Sequence, residues 1–237
     1  MFKTMHSVVL LASALSLGFV NVAAADLLTP TVAASSSSIA DVVPSLERTA
    51  DKTVDGSGLY AGASGVLGAA DSTHYVESST MWMTAGLYAA DNNPSITYNL
   101  GSAYNVSTLR VWNYDEYLSQ QLGAKDVEVY AGLDVNQLTL RGAIQLAEAP
   151  GDSSTVAQNF TALDLSNVQY VKLAIGSNWD GAVFDGTGAV VGADGRGLVG
   201  LSEVRFEGTS AVPEPSTLVL FGVAVASMLF YGWRKRR

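Results

Sequence analysis

From Asp26 to Ala211 apolar and polar positions alternate in short stretches that Gly, Asn and Asp interrupt. Ser95 to Leu100, Thr108 to Tyr114, Val127 to Ala131, Phe160 to Leu165, Tyr170 to Ile175 and Leu201 to Glu207 have the length and the β-branched and aromatic content of strands. Within them the period is two. Leu109 and Val111 face one way and Arg110 and Trp112 the other; Val171, Leu173 and Ile175 oppose Tyr170 and Lys172; Val204 and Phe206 oppose Glu203 and Arg205. No stretch in this span sustains a helical period. Strands that are apolar on one face and wet on the other belong to antiparallel sheets, and two such sheets bury their apolar faces against each other. The pattern predicts an all-β protein, an antiparallel β-sandwich with solvated outer faces.

The alternation stops at both ends. At the amino terminus Lys3 precedes an apolar run from Val8 to Val20, then Ala23, Ala24 and Ala25 before Asp26. A cation, a short apolar run and a small-residue site make a secretory signal peptide over 1–25, cut by signal peptidase after Ala25. The 13 residues of the run are too few for a span, since a helix rises only about 1.5 Å per residue. At the other end Val212, Pro213, Glu214, Pro215 and Ser216 precede an apolar run from Leu218 to Trp233 and four cations, Arg234, Lys235, Arg236 and Arg237. The 16-residue run is near the lower limit for a transmembrane helix, and the terminal cations hold its end in the cytoplasm, leaving the folded part outside. Pro213 and Pro215 keep the peptide before it extended. This tail resembles the PEP-CTERM sorting signal of Gram-negative, exopolysaccharide-producing bacteria. The resemblance implies cleavage near Pro213-Glu214-Pro215 by an exosortase, and release or transfer of an inner-membrane-anchored precursor to the envelope or extracellular matrix.

Composition narrows the partners. Between Asp26 and Ala211 there are 8 Lys and Arg against 21 Asp and Glu, a balance of 8 − 21 = −13. Such a domain repels phosphate backbones, so nucleic acid is not an expected partner. There is no Cys, and stability must come from an ordinary core. His6 leaves with the signal peptide, and His74, expected in a loop, is the one His of the mature chain. A nucleophilic triad or a His-rich zinc site has no material here. Asp115 and Glu116 beside Tyr117 are the carboxylate pair a glycosidase reading would need, but neighbours in a strand point to opposite faces. The expectation is a protein that is not an enzyme.

The order of motifs in the middle resembles a discoidin, or coagulation-factor type C, domain, a galactose-binding-like jelly roll. Asp71 stands for the family's Asp-Gly turn, with Ser72 in place of Gly. Thr80 and Trp82 form its Thr-x-Trp pair, Asn99-Leu100-Gly101 ends its second strand, and Leu201-Ser202-Glu203-Val204-Arg205-Phe206 is its closing strand. The match covers 58–208, leaving 26–57 as a flexible lead-in or edge strand, and 209–237 as the sorting tail. A stretch over 181–197 reads as an insertion, expected as a mobile loop, with Asp-Gly turns at Asp180, Asp185 and Asp194.

The resemblance implies a structural Ca²⁺ and no other cofactor, held by Asp71, Thr80 and Glu203, since the ion takes carboxylate, hydroxyl and carbonyl oxygens from loops. For a sugar, stacking on an exposed ring beside amide and acid groups points to Tyr117 and to Asn178, Trp179 and Asp180. Trp82 is expected in the core and Trp112 over a sheet face. The functional expectation is an exported, non-catalytic protein that binds carbohydrate, with exopolysaccharide as a candidate. The alternatives are a structural or protein-binding surface protein without a glycan ligand, and a carboxylate glycosidase.

Overall fold

A computed structural model describes residues 24–86, 91–187, 192–193 and 197–211, together with Gly222, Trp233 and Arg234. The signal-peptide run, the motif at 212–216, the body of the 218–233 run and the cations at 235–237 lie outside the described residues. In chain order the first strands are β1 (Asp26–Leu28), β2 (Thr31–Ser35), β3 (Leu59–Tyr60), β4 (Thr73–His74), β5 (Trp82–Met83) and β6 (Ser95–Asn113). They are followed by β7 (Asp126–Gly132), β8 (Thr139–Gln145), β9 (Thr155–Val156), β10 (Gln158–Phe160), β11 (Leu165–Ile175) and β12 (Gly200–Ser210). Between residues 24 and 211 the helices among the described residues are five short 3-10 turns.

β6 builds both layers. Its first limb pairs with β2 through Thr97 and Tyr98 and with β11 through Ser95 to Asn99; beyond β11 lie β7 and β8. At Asn99 the register with β11 breaks and resumes at Tyr104. Gly101, at φ +86°, makes this turn, a conformation open to glycine at no steric cost. The second limb pairs with β12 and β10, and β12 carries β1 and β5 on its flank. All these pairings are antiparallel. Both ends of β6 therefore reach one end of the sandwich: Ile175 donates to the Pro94 carbonyl at 2.9 Å, Lys125 to that of Ser177 at 2.8 Å, and Asn113 Nδ2 to that of Ala124 at 2.8 Å.

The alternation sets the core. Leu109, Val111, Val204 and Phe206 from one layer meet Ile96, Tyr98, Val129, Val171 and Leu173 from the other, all without solvent exposure. Tyr98 packs edge-on against Phe206, ring centres 5.6 Å apart. Trp82 is buried here, and its Nε1 donates to the Ser37 carbonyl at 2.9 Å. This segment and β1 and β2 make 26–57 part of the sandwich, as edge strands followed by packed 3-10 turns.

Four sequence expectations need correction. Phe160 to Leu165 is not one strand: β10 ends at Phe160, residues 161–164 turn, and β11 starts at Leu165. The outer face of β6 and β12 is not solvated, because the turn-rich 48–80 segment and the small β3-β4-β9 sheet lie over it. Arg110, Trp112, Glu203 and Arg205 are buried there, with Trp112 Nε1 donating to the Ser72 carbonyl at 3.0 Å. His74 belongs to β4, not to a loop; it pairs with Leu59 and Thr155 and its ring is buried. Burial lowers its pKa to about 4. Finally, the 181–187 part of the insertion is anchored, since Ala182 and Phe184 enter the core and Phe184 donates to the Gly176 carbonyl at 2.8 Å. Gly181 and Gly186 do take the left-handed turn conformation.

Candidate functional site

The connections at the shared end of the sandwich, 114–125, 146–154 and 176–187, bring the sugar-site candidates together unevenly. The 114–119 loop is tied down by Arg48, whose guanidinium donates to both Glu116 oxygens at 2.9 and 3.0 Å and to the Tyr114 hydroxyl at 2.6 Å. The Tyr114 hydroxyl also bonds Glu116. From this anchored base Tyr117 and Leu118 project, 66% and 72% exposed, with Leu118 at φ +61°. Tyr117 is thus a free ring on a held loop.

Asn178, Trp179 and Asp180 play other parts. Asn178 is buried, donating from Nδ2 to the Leu198 carbonyl at 2.8 Å and accepting from the Ala182 N–H at 2.8 Å. It fixes the base of the insertion. Trp179 is half-buried; its Nε1 donates to the Leu146 carbonyl at 3.1 Å, and the Lys125 ammonium lies 4.7 Å from its ring centre. One ring face is therefore already covered by a cation. The Asp180 carbonyl accepts from the Ala193 N–H at 2.9 Å.

The adjacent carboxylates Asp115 and Glu116 separate. Asp115 is buried and accepts from Gly151 N–H at 2.8 Å, and burial raises its pKa to about 6; Glu116 turns to Arg48. Two carboxylates flanking one bond are what a glycosidase needs, and these two point to different partners.

The proposed calcium ligands are likewise placed apart in their bonding. Asp71 is exposed and accepts from the Ser64 N–H and hydroxyl, both at 2.7 Å, which holds its pKa below the usual range. Thr80 donates to the Glu77 carbonyl at 2.6 Å. Glu203 is buried in β12, with the Arg205 guanidinium 2.7 Å from Oε1. Burial outweighs the Arg205 charge and the Gly56 backbone N–H, raising the Glu203 pKa to about 8. The acidic neighbour that acts on Glu203 is Asp55, in the Asp55-Gly56 turn, rather than Asp71. Asp55 lies just before the 58–208 span of the sequence resemblance, which therefore does not reach it. Among the described residues no three His, Asp or Glu side chains gather at one point.

Residues 211–237 match the model of the PEP-CTERM protein-sorting motif. No curated protein matches the chain in sequence. Among solved structures it is similar to CBM32-3 from a family 31 glycoside hydrolase of Clostridium perfringens, at 14% identity over 76% of this chain and 92% of that one, with a TM-score of 0.51. A fragment of a putative chitobiase from Bacteroides thetaiotaomicron aligns at 11% identity over 80% of this chain and 96% of its own, TM-score 0.55. The C-terminal domain of a Bacteroides fragilis chitobiase aligns at 15% over 78% and 98%, TM-score 0.51. Among the described residues no helix is long and apolar enough to cross a membrane. The chain thus joins a discoidin-like β-sandwich, the fold it shares with CBM32-3 and the two chitobiase fragments, to a PEP-CTERM sorting motif at 211–237.

Proposed function

We propose that this is an exported, non-catalytic protein of the cell envelope or extracellular matrix, whose sandwich binds carbohydrate and whose tail is cut by an exosortase. The observation that carries the reading is the pairing of a sorting motif at 211–237 with a sandwich fold like that of CBM32-3. On the chain itself, the exposed Tyr117 on a loop pinned by Arg48 supplies a preorganised stacking surface. Signal peptidase and exosortase act in turn, and the precursor is held in the inner membrane by its carboxy-terminal helix between the two cuts. The non-enzyme reading is supported by Asp115 and Glu116 being committed to separate structural partners.

Calcium belongs to the same proposal, with Glu203 and Asp55 as its holders. Glu203 is a buried carboxyl on which the Asp55 carboxylate acts, a pair suited to a hard cation, while Arg205 competes for Oε1. The ion would neutralise a buried charge and tie the Asp55 turn to the closing strand. A rise in melting temperature on adding calcium, lost in Glu203→Gln, supports this; no rise at pH 8 removes calcium.

The glycan reading is tested by a glycan array, comparing the chain with Tyr117→Ala. Reproducible signal on one class of sugar supports it. No signal on any glycan from a folded chain favours the rival reading, a structural surface protein that binds protein or no small ligand.

A further inference from the structure

A second surface invites a ligand. The outer face of the β6-β11-β7-β8 layer holds an open cavity of about 1050 Å³, bordered by Gly176, Phe184 and Asp185 of the 176–187 connection and not lined by the Tyr117 loop. Because Val127, Val129, Val171 and Leu173 point into the core, their neighbours along each strand point into this cavity. Cross-strand register then orders the floor: Ser95 faces Ala174, Ala174 faces Glu128, and Glu128 faces Ala143. A row of small residues interrupted by one carboxylate runs across four strands, about 14 Å at the usual strand spacing of about 4.8 Å. Lys172 and Tyr130, themselves cross-strand partners, raise one bank of this trough; Asp126 and Gln145, also partners, raise the other.

The banks are held in place. The Tyr130 hydroxyl donates to Glu128 Oε2 at 2.7 Å, Gln145 Nε2 to Asp126 Oδ1 at 3.0 Å, and the Ser177 hydroxyl to Asp126 Oδ2 at 2.5 Å. Side chains already fixed by one another lose little entropy when a ligand arrives. The lining sets charged and amide side chains beside about as much apolar surface, a more polar mixture than the core of a protein interface. It matches a ligand made of hydroxyl groups, with the Tyr130 ring as the apolar surface. Asp126, Glu128 and Asp185 against Lys172 leave the lining net negative, so the ligand is not a polyanion.

We propose that this trough binds a neutral polysaccharide chain lying across the strands, over the Ser95-Ala174-Glu128-Ala143 floor, as a site that the Tyr117 loop does not line. The proposal rests on the carbohydrate-binding reading above and locates it on residues other than Tyr117.

The test is calorimetric titration of the full-length chain with neutral hexasaccharides (cellohexaose, laminarihexaose, mannohexaose and chitohexaose) and with a hexauronate as the charged control. Tyr130→Ala removes the platform, and Ala174→Trp fills the floor from an outward-facing position that leaves the core untouched. The expected result is binding of at least one neutral hexasaccharide, weakened on the order of tenfold in both variants at unchanged melting temperature. Binding that persists in both variants but is lost in Tyr117→Ala overturns the trough and leaves the glycan reading standing. Tighter binding of the hexauronate overturns the neutral-ligand assignment. No binding of any neutral hexasaccharide by a folded chain that still gives signal on the glycan array removes the trough alone; no binding in either experiment removes both.

Discussion

Glu203 is an acid placed where its charge is costly. In the folded chain its pKa is raised from 4.5 to about 8, so between these values the folded state keeps a proton that the unfolded state releases. Its stabilising effect is therefore complete below about pH 4.5 and fades as the pH rises towards 8. Asp115, raised from 3.8 to about 6, acts in the same sense at lower pH. His74, lowered from 6.5 to about 4, acts in the opposite sense and favours folding as the pH rises to 6.5. Of these three groups only Glu203 titrates between pH 6.5 and 8. Denaturant titrations without calcium should show stability falling across that window, by at most about 1.4 kcal/mol per pH unit. Glu203→Gln should flatten the slope; an unchanged slope would place the titration elsewhere. Since a metal must displace that proton, calcium should raise the melting temperature more at pH 8 than at pH 6. A core residue gives a simpler test: Trp82→Ala removes a fully buried ring and its bond to Ser37, and should cost about 3–5 kcal/mol in urea unfolding.

At the scale of elements, the two-residue period was legible because one face of each long strand meets the core. Leu109, Val111, Val171, Leu173, Val204 and Phe206 all follow it. The opposite faces were not, because a period reports one buried face and says nothing about what a distant segment lays over the other. Arg110 and Arg205 stand directly opposite each other under such a cover, each with its own acid, Glu207 and Glu203, at 2.7 Å. Charged residues in a strand read as wet until their partners are seen. The trough escaped notice for a related reason: Asp126, Glu128 and Tyr130 alternate visibly in the sequence, but their joining with Gln145 and Lys172 depends on register across three strands. Close packing of elements yields its own prediction. A Cβ on Gly200, at the start of β12, would lie 2.4 Å from the Tyr114 ring and 2.6 Å from the Trp82 carbonyl. Gly200→Ala should therefore destabilise the chain by about 1–3 kcal/mol, read by thermal unfolding, and a neutral result would show that Tyr114 yields easily.

For the whole molecule, the motif at 211–237 and the sandwich are two statements about one protein, its route and its surface. The span from Asp26 to Ala211 carries 8 − 21 = −13 charges, so an acidic polysaccharide would be repelled over most of that surface. Binding of a neutral glycan should change little between low and high salt, because hydroxyl contacts and ring stacking are not screened as charge pairs are. Association that collapses with added salt would point to a charged partner. The most direct measurement is titration of the folded, calcium-supplied chain with the neutral exopolysaccharide of the cell that makes it. Saturable binding that survives high salt is the expected result. A folded chain that shows no binding at any polysaccharide concentration would contradict the carbohydrate-binding function.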